Sequence, residues 1–269
     1  MGIVNITDNS YYSQSRCLAS DGTADLPLVR ERISGMLNDG ADIIDIGACS
    51  TRPGAPAVGA GVEASRLAPV LEMVAQEFPD ISVSIDTYWA SVANMAAGIL
   101  SEAASEGRLI INDIYAGRRD PDMLPEVGRL KLPFVAMHSL EETLDSSDYE
   151  GDVVAGVRKY FEEFAVRAAG AGIDEWVLDP GFGFGKSVRQ NWQLLDRMGG
   201  LLCFGKEILV GISRKSMIYK PLGITPEEAL PATQAAHLAA LDRGASILRV
   251  HDVAETKRTI AVWQMMHNC

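Results

Sequence analysis

Residues 152–187, DVVAGVRKYFEEFAVRAAGAGIDEWVLDPGFGFGKS, hold one complete helix–strand–loop unit. Val153, Val157, Tyr160, Phe161, Phe164 and Ala168 recur at helical spacing, which predicts a helix over Asp152–Ala171 with one apolar face. The short apolar run Trp176–Leu178 then reads as a strand, and it ends on a carboxylate, Asp179, followed by a glycine-rich stretch. Outward from this unit the same alternation repeats in both directions. Further strands are expected at Gly2–Ile6, Ile43–Ile46, Ser82–Ile85, Leu109–Asn112, Phe134–Met137, Glu207–Gly211 and Ile247–Val250. Further helices are expected at Asp25–Asn38, Val62–Gln76, Trp89–Ala103, Pro121–Arg129, Val188–Met198, Pro226–Arg243 and Asp252–His267. A long polar loop, Leu140–Gly151, follows the fifth strand.

Strict alternation of strand and helix implies a parallel sheet. Eight such units within 269 residues predict an α/β fold of the TIM (β/α)8 barrel type, as a single domain over residues 1–269. Doublets such as Ile43-Ile44 and Ile110-Ile111 suit strands covered on both faces. A barrel makes a further demand: functional side chains must sit just after strand C-termini, where the loops form one mouth. Polar groups stand at all eight such places, among them Asn5, Ser50–Gly54, Asp86, Asn112, His138, Asp179, Ser213–Ser216 and Arg249–Asp252.

Composition narrows the function. Hydrophobic residues make up 47% and charged residues 22%, and the mean hydropathy is +0.06, which suits a folded core and not a disordered or membrane chain. A net charge of −12 argues against nucleic acid as a partner, since phosphate binding needs a basic face. It leaves room for an anionic small molecule in a locally positive cleft. Cys17, Cys49, Cys203 and Cys269 form no C-x-x-C pair, so a reducing cytoplasm is the expected setting, with no secretory leader.

The run Asp179–Ser187 resembles a phosphate loop but misses it, because Pro180 stands where the first glycine is required. It reads better as a strand-end carboxylate followed by a turning loop that lets Phe184 reach over a pocket. Asp86, Asn112 and Asp179 could each be a helix cap taken singly. Facing inward together, they need a polar partner. A carboxylate can accept two parallel bonds from the adjacent N–H groups of a flat heterocycle. Ser213-Arg214-Lys215-Ser216 puts two cations where a helix begins, and Arg249 and His251 alternate at the last strand end; both suit an anion.

Taken in order, Met1–Thr7, Ser50–Ala55, Ser84–Thr87, Ile111–Ile114, Met137-His138, Asp179–Lys186, Ser213–Ser216 and Arg249–Asp252 resemble the motifs of the dihydropteroate synthase family over nearly the whole chain. The resemblance implies a TIM barrel that joins 6-hydroxymethyl-7,8-dihydropterin pyrophosphate to 4-aminobenzoate, releasing pyrophosphate. It implies that Asp86, Asn112, Asp179 and Lys215 hold the pterin, in a slot lined by Met137, Phe184 and Gly211. Asn5, Arg52, Arg249 and His251 are then the pyrophosphate site, with Mg²⁺ near Asn5. Tyr11, Thr51, Arg52 and Pro53, with Phe184, Lys215 and Ser216, would form the aminobenzoate site. Among these, Lys215, Arg249, His251, Asp86 and Asp179 are expected to act in catalysis, by an SN1-like departure of pyrophosphate. A homodimer is implied as well. Departures from the family pattern lie at Asp8-Asn9-Ser10-Tyr11, where Pro-Asp-Ser-Phe is common, and at Cys49, where Glu is frequent. Two rivals share the barrel: a pterin-binding methyltransferase, which has no use for the cations, and a non-catalytic pterin binder.

Overall fold

Most of the strands begin with apolar residues on both faces and carry polar ones at or near their C-terminal ends. The computed structural model describes residues 1–7, 17–19, 22–49, 58–101, 109–139, 149 and 151–267. Within these, β1 (Gly2–Asn5), β2 (Ile43–Gly47), β3 (Ser82–Asp86), β4 (Leu109–Asp113), β5 (Phe134–Met137) and β6 (Trp176–Asp179) form a six-stranded parallel sheet in sequence order. The strands β7 (Leu209–Val210) and β8 (Ile247–Leu248) form a parallel pair. Parallel bridges from Leu178 to Ile208 and from Gly2 to Val250 join the two groups at either side, closing the ring. The expected barrel is therefore present.

Two strands are shorter than the sequence predicts. Around β7 and β8 the ladder continues only as single hydrogen bonds: Leu178 N–H to Glu207 O at 2.9 Å, Arg249 N–H to Val210 O at 3.0 Å and Val250 N–H to Met1 O at 2.9 Å.

Helices α1 (Leu26–Asn38), α2 (Ala60–Glu77), α3 (Ala90–Ser101), α4 (Met123–Leu130), α5 (Val153–Gly170), α6 (Val188–Asp196), α8 (Leu230–Asp242) and α9 (Val253–His267) stand where periodicity placed them. The short α7 (Ser216–Leu222) and a 3-10 turn over Met198–Phe204 were not among the expected helices. Seven residues are too few to reveal an apolar period. Side-chain caps start three of the others. Asp25 accepts from Leu28 N–H at 3.1 Å. Asp152 caps α5 through Val154 and Ala155, and Ser187 forms a capping box with Gln190 on α6. The α5 face read from the sequence is buried throughout. The expected loop 140–151 lies outside the described residues except for Tyr149 and Gly151. No helix among the described residues is long and apolar enough to cross a membrane.

Two apolar layers share the strands. Val4, Ile44, Ile46, Ile85, Ile111, Phe134 and Leu178 face the helices. A smaller cluster of Met1, Val135 and Leu209, with Ile43, Ile110, Val177 and Ile247 against it, fills the barrel interior. Strand alternation makes this interior set informative. Two positions beyond Ile43, Ile110, Val135, Val177, Leu209 and Ile247 come Asp45, Asn112, Met137, Asp179, Gly211 and Arg249, all pointing the same way. The apolar plug thus forms the floor under a polar mouth.

His237 on α8 is fully buried, and its ring nitrogens find no hydrogen-bond partner among the described residues. Burial lowers its pKa to about 4, so the folded state holds it neutral. A base with a depressed pKa contributes stability above its unfolded value near 6.5, and that stability is lost as pH falls toward 4. His237→Leu should therefore match or exceed the parent stability at pH 7. Its stability should fall less steeply between pH 6.5 and 4, by roughly 1 kcal/mol per pH unit. Denaturant unfolding at pH 7 and pH 5 measures both; an unchanged slope would refute this role for the ring.

Candidate active site

Strand register sets the level of the mouth. Asn5 pairs with Gly47, Gly47 with Asp86, Asp86 with Asn112, and Met137 with Asp179. Asn112 pairs in turn with Val135, so Met137 and Asp179 stand one inward-facing position beyond it. The polar residues come from separate stretches of sequence and gather at or next to the C-terminal ends of their strands on two adjacent levels. Gly47 is small for a reason: a Cβ there would lie 3.1 Å from the Asp86 Cβ.

Arg249 crosses the barrel from the end of β8. Its Nε donates to Asp45 Oδ2 at 2.7 Å and its Nη2 to Asp86 Oδ2 at 2.8 Å. Asn112 Nδ2 donates to the other Asp45 oxygen at 3.3 Å. Asp45 is fully buried, and Arg249 retains 20% side-chain exposure, so one edge of the guanidinium still faces the mouth. Burial raises the Asp86 pKa to about 7, with Arg249 opposing and Asp45 adding to the rise. For Arg249, burial works against the charge, but Asp45 and Asp86 more than offset it, so its pKa is raised.

On the opposite wall, Asp179 Oδ1 accepts from Gly181 N–H at 2.8 Å. Burial raises its pKa, and the nearby Lys215 charge is the largest opposing influence. Lys215 Nζ donates to Phe182 O at 2.6 Å and lies 4.7 Å from the centre of the Phe184 ring, a cation–π contact. Its pKa is lowered to about 8, mainly by burial, with Asp179 opposing. Gly211 lies below: a Cβ there would meet Lys215 Nζ at 3.9 Å and Arg249 Cβ at 4.0 Å. Met137 is buried with Cys49, Tyr88 and Ile114, and Phe184 packs against them. The slot thus has an acidic rim (Asp86, Asp179), two cations and apolar walls.

The glycine loop that carries Phe184 is stitched from beneath by Lys186, a residue the sequence reading passed over. Its Nζ reaches Gly181 O at 2.8 Å, Phe184 O at 3.1 Å and His138 Nδ1 at 2.9 Å. Asn191 Oδ1 accepts from Gly183 N–H at 2.7 Å. Gly181 has φ +69°, and a Cβ there would collide with the His138 carbonyl oxygen, so the close approach of this loop to β5 needs glycine.

The structure brings Asp86, Asn112, Met137, Asp179, Phe184, Gly211, Lys215 and Arg249 together. Asn5 ends β1 at the level of Asp86 and Asn112, and its carbonyl accepts from Cys17 N–H at 2.9 Å. Ser216 opens α7 next to Lys215. His251 follows Arg249 and meets Ser213. Tyr11, Thr51, Arg52 and Pro53 lie outside the described residues. One expectation needs correcting. Of the two cations in Ser213–Ser216, Arg214 does not face the mouth: it is buried in a bidentate pair with Asp252, at 2.8 Å for both bonds. Its φ of +52° turns it away from its neighbours. Asp45 was missed as well. The signal available was a lone carboxylate inside an apolar strand, which must find a partner or neutralise.

Comparison with known proteins follows this geometry. Residues 1–251 match the family model described as pterin binding enzyme. Dihydropteroate synthase of Escherichia coli (strain K12) is 38% identical over 268 residues, covering 97% of this chain and 89% of that protein. The Bacillus subtilis (strain 168) dihydropteroate synthase is 35% identical over 274 residues, covering 100% and 88%. Among solved structures, Yersinia pestis dihydropteroate synthase with a pterin–sulfa conjugate aligns with a TM-score of 0.85 at 33% identity, covering 100% of this chain and 93% of that one. Xanthomonas albilineans dihydropteroate synthase with 4-aminobenzoic acid aligns at 0.86 and 36% identity, covering 100% and 92%.

Proposed function

The chain belongs to the dihydropteroate synthase family of pterin-binding enzymes, and from that premise we propose that it condenses 6-hydroxymethyl-7,8-dihydropterin pyrophosphate with 4-aminobenzoate. The carrying observation is the one barrel mouth at which Asp86, Asn112 and Asp179 meet Lys215 and Arg249. A flat donor-rich ring fits between Met137 and Phe184 with its N–H edge toward carboxylates. A leaving anion fits on the exposed edge of Arg249.

In the reaction the bond from the pterin methylene carbon to the pyrophosphate oxygen breaks, and its electron pair leaves with the oxygen. The amine nitrogen of 4-aminobenzoate bonds to that carbon and then loses a proton to solvent. Negative charge grows on the leaving group, where Arg249 and His251, with Arg52 by resemblance, would stabilise it. Positive charge grows on the pterin, where ionised Asp86 and Asp179 would stabilise it. Such charge separation favours an SN1-like path, and a neutral aniline nitrogen needs no strong general base. Tyr11, Thr51, Pro53 and Ser216 complete the aminobenzoate side of this reading.

A Mg²⁺ ion suits the residues present. Asn5, at the end of β1, would supply one hard side-chain oxygen to it. Mg²⁺ is commonly held by one or two protein oxygens together with substrate phosphates. When bound with the diphosphate it would neutralise leaving-group charge. A cytoplasmic setting fits Cys17, Cys49 and Cys203, which form no disulfide among the described residues. A homodimer fits the exposed Trp192, Leu202 and Leu222 around α6 and α7.

Dihydropteroate formation, assayed with and without Mg²⁺, tests the reading directly. Absence of product with pterin still binding would favour the non-catalytic rival, and failure to bind pyrophosphate in calorimetry would favour the methyltransferase rival. The profile of kcat/KM for the pterin substrate should also be bell-shaped. It should rise through about pH 7 as Asp86 ionises and fall above about pH 8 as Lys215 loses its proton. Lys215→Arg should move the alkaline limb upward; a flat profile from pH 6 to 9.5 would count against both assignments.

A further inference from the structure

The loops after β7 and β8 are tied together twice. One tie is the Arg214–Asp252 pair. The other is a reciprocal contact between Ser213 and His251: Ser213 Oγ lies 3.0 Å from His251 Nδ1, and the His251 backbone N–H donates to the same Oγ at 3.3 Å. Ser213 is buried. A serine hydroxyl has one proton and two lone pairs. The backbone N–H of His251 occupies one lone pair, so the proton must go elsewhere. Nδ1 of His251 is the acceptor in contact. If Nδ1 instead carried a proton and donated, Ser213 would accept twice and its own buried proton would be left unbonded, a loss of about 1–3 kcal/mol. The arrangement in which everything is satisfied has Ser213 O–H donating to a bare Nδ1.

We propose that Ser213 is a positioning residue that holds His251 as the neutral tautomer with its proton on Nε2, so that the ring donates that N–H to an oxygen of the departing pyrophosphate. The second tie serves the same end. Asp252 adjoins His251 in sequence and is anchored to Arg214, which itself follows Ser213, so neither loop can slide against the other. Burial, and then the neighbouring Arg249 charge, lower the His251 pKa to about 3, which agrees with a ring that stays neutral. A neutral donor adds a hydrogen bond to the leaving group without a proton transfer. The role at pyrophosphate rests on the proposed condensation; the tautomer does not.

The test is nitrogen-15 NMR of the full-length labelled protein, in which bare and protonated imidazole nitrogens give distinct signals. Loss of one ring's signals in His251→Ala assigns the residue. His251 is expected with a bare Nδ1 and a protonated Nε2. Ser213→Ala should abolish that pattern and lower kcat about ten-fold, with KM for the pterin within two-fold. Ser213→Thr, which keeps the hydroxyl, should restore both. In the His251→Ala background, Ser213→Ala should cost nothing further. A wild-type Nδ1–H tautomer, or an equal additive loss in both backgrounds, overturns the proposal, and the wild-type spectrum decides even where a Ser213 variant fails to fold. A wild-type protein that forms no dihydropteroate overturns the condensation reading, whatever the tautomer.

Discussion

Asp179→Asn should lower turnover by ~10³-fold while leaving thermal stability nearly unchanged. The structural bond to Gly181 N–H uses one oxygen of the side chain, and an asparagine Oδ1 can still accept it. What asparagine cannot do is accept a second time: its amide would point N–H groups at the N–H edge of the pterin. It also cannot carry the negative charge that would meet the cation developing on the ring. Stability should not suffer, because burial already opposes the charge on Asp179, as its raised pKa shows. Lys215→Ala should give the complementary result, a loss of ~10²-fold or more, since it removes the cation beside Asp179 and the contact with the Phe184 ring. Steady-state kinetics beside thermal unfolding separates the two effects. Unchanged turnover in either variant would remove the residue from the mechanism.

The largest stability effect should come from the buried ion pair that ties the loops after β7 and β8. Asp252→Ala should destabilise the fold by ~3–5 kcal/mol, because it leaves the Arg214 guanidinium buried without its counter-charge. Arg214 side-chain exposure is 7% and that of Asp252 is 14%, so water cannot take over the lost partner. The carbonyls of Pro226 and Glu227, at 2.9 and 2.7 Å, solvate the guanidinium but cannot neutralise it. Removing both partners should cost less than the sum of the single variants, since no orphaned charge remains. Equilibrium denaturation measures the cycle. A loss below ~1 kcal/mol for Asp252→Ala would mean that Arg214 reaches solvent in solution.

These two cases also show where sequence reading succeeds and where it stops. Asp179 was legible because a carboxylate ending an apolar strand in a repeating βα pattern has one place to go. Asp86, Asn112 and Arg249 follow the same logic. Arg214 looked like a second anion-binding cation because it adjoins Lys215. The left-handed backbone at Arg214 reversed its direction, and no residue type announces that conformation when it is not glycine. Asp45 was passed over because its partner Arg249 is 204 residues away. Lys186 was passed over because its role is to hold carbonyls of its own loop. The register of Ser213 against His251 has no sequence signal at all.

What the amino-acid order settled alone is periodic: alternating strand and helix, the inward face of each strand, and hence the ring and the mouth at which its polar ends gather. Those features repeat every two or 3.6 residues, so local composition suffices to reveal them. What only the closed barrel decided is pairwise: which cation faces the slot, which carboxylate grips Arg249, and on which nitrogen His251 holds its proton. Each depends on side chains from separate loops meeting within about 3 Å, and the distances that govern such meetings exist only once the chain has closed on itself.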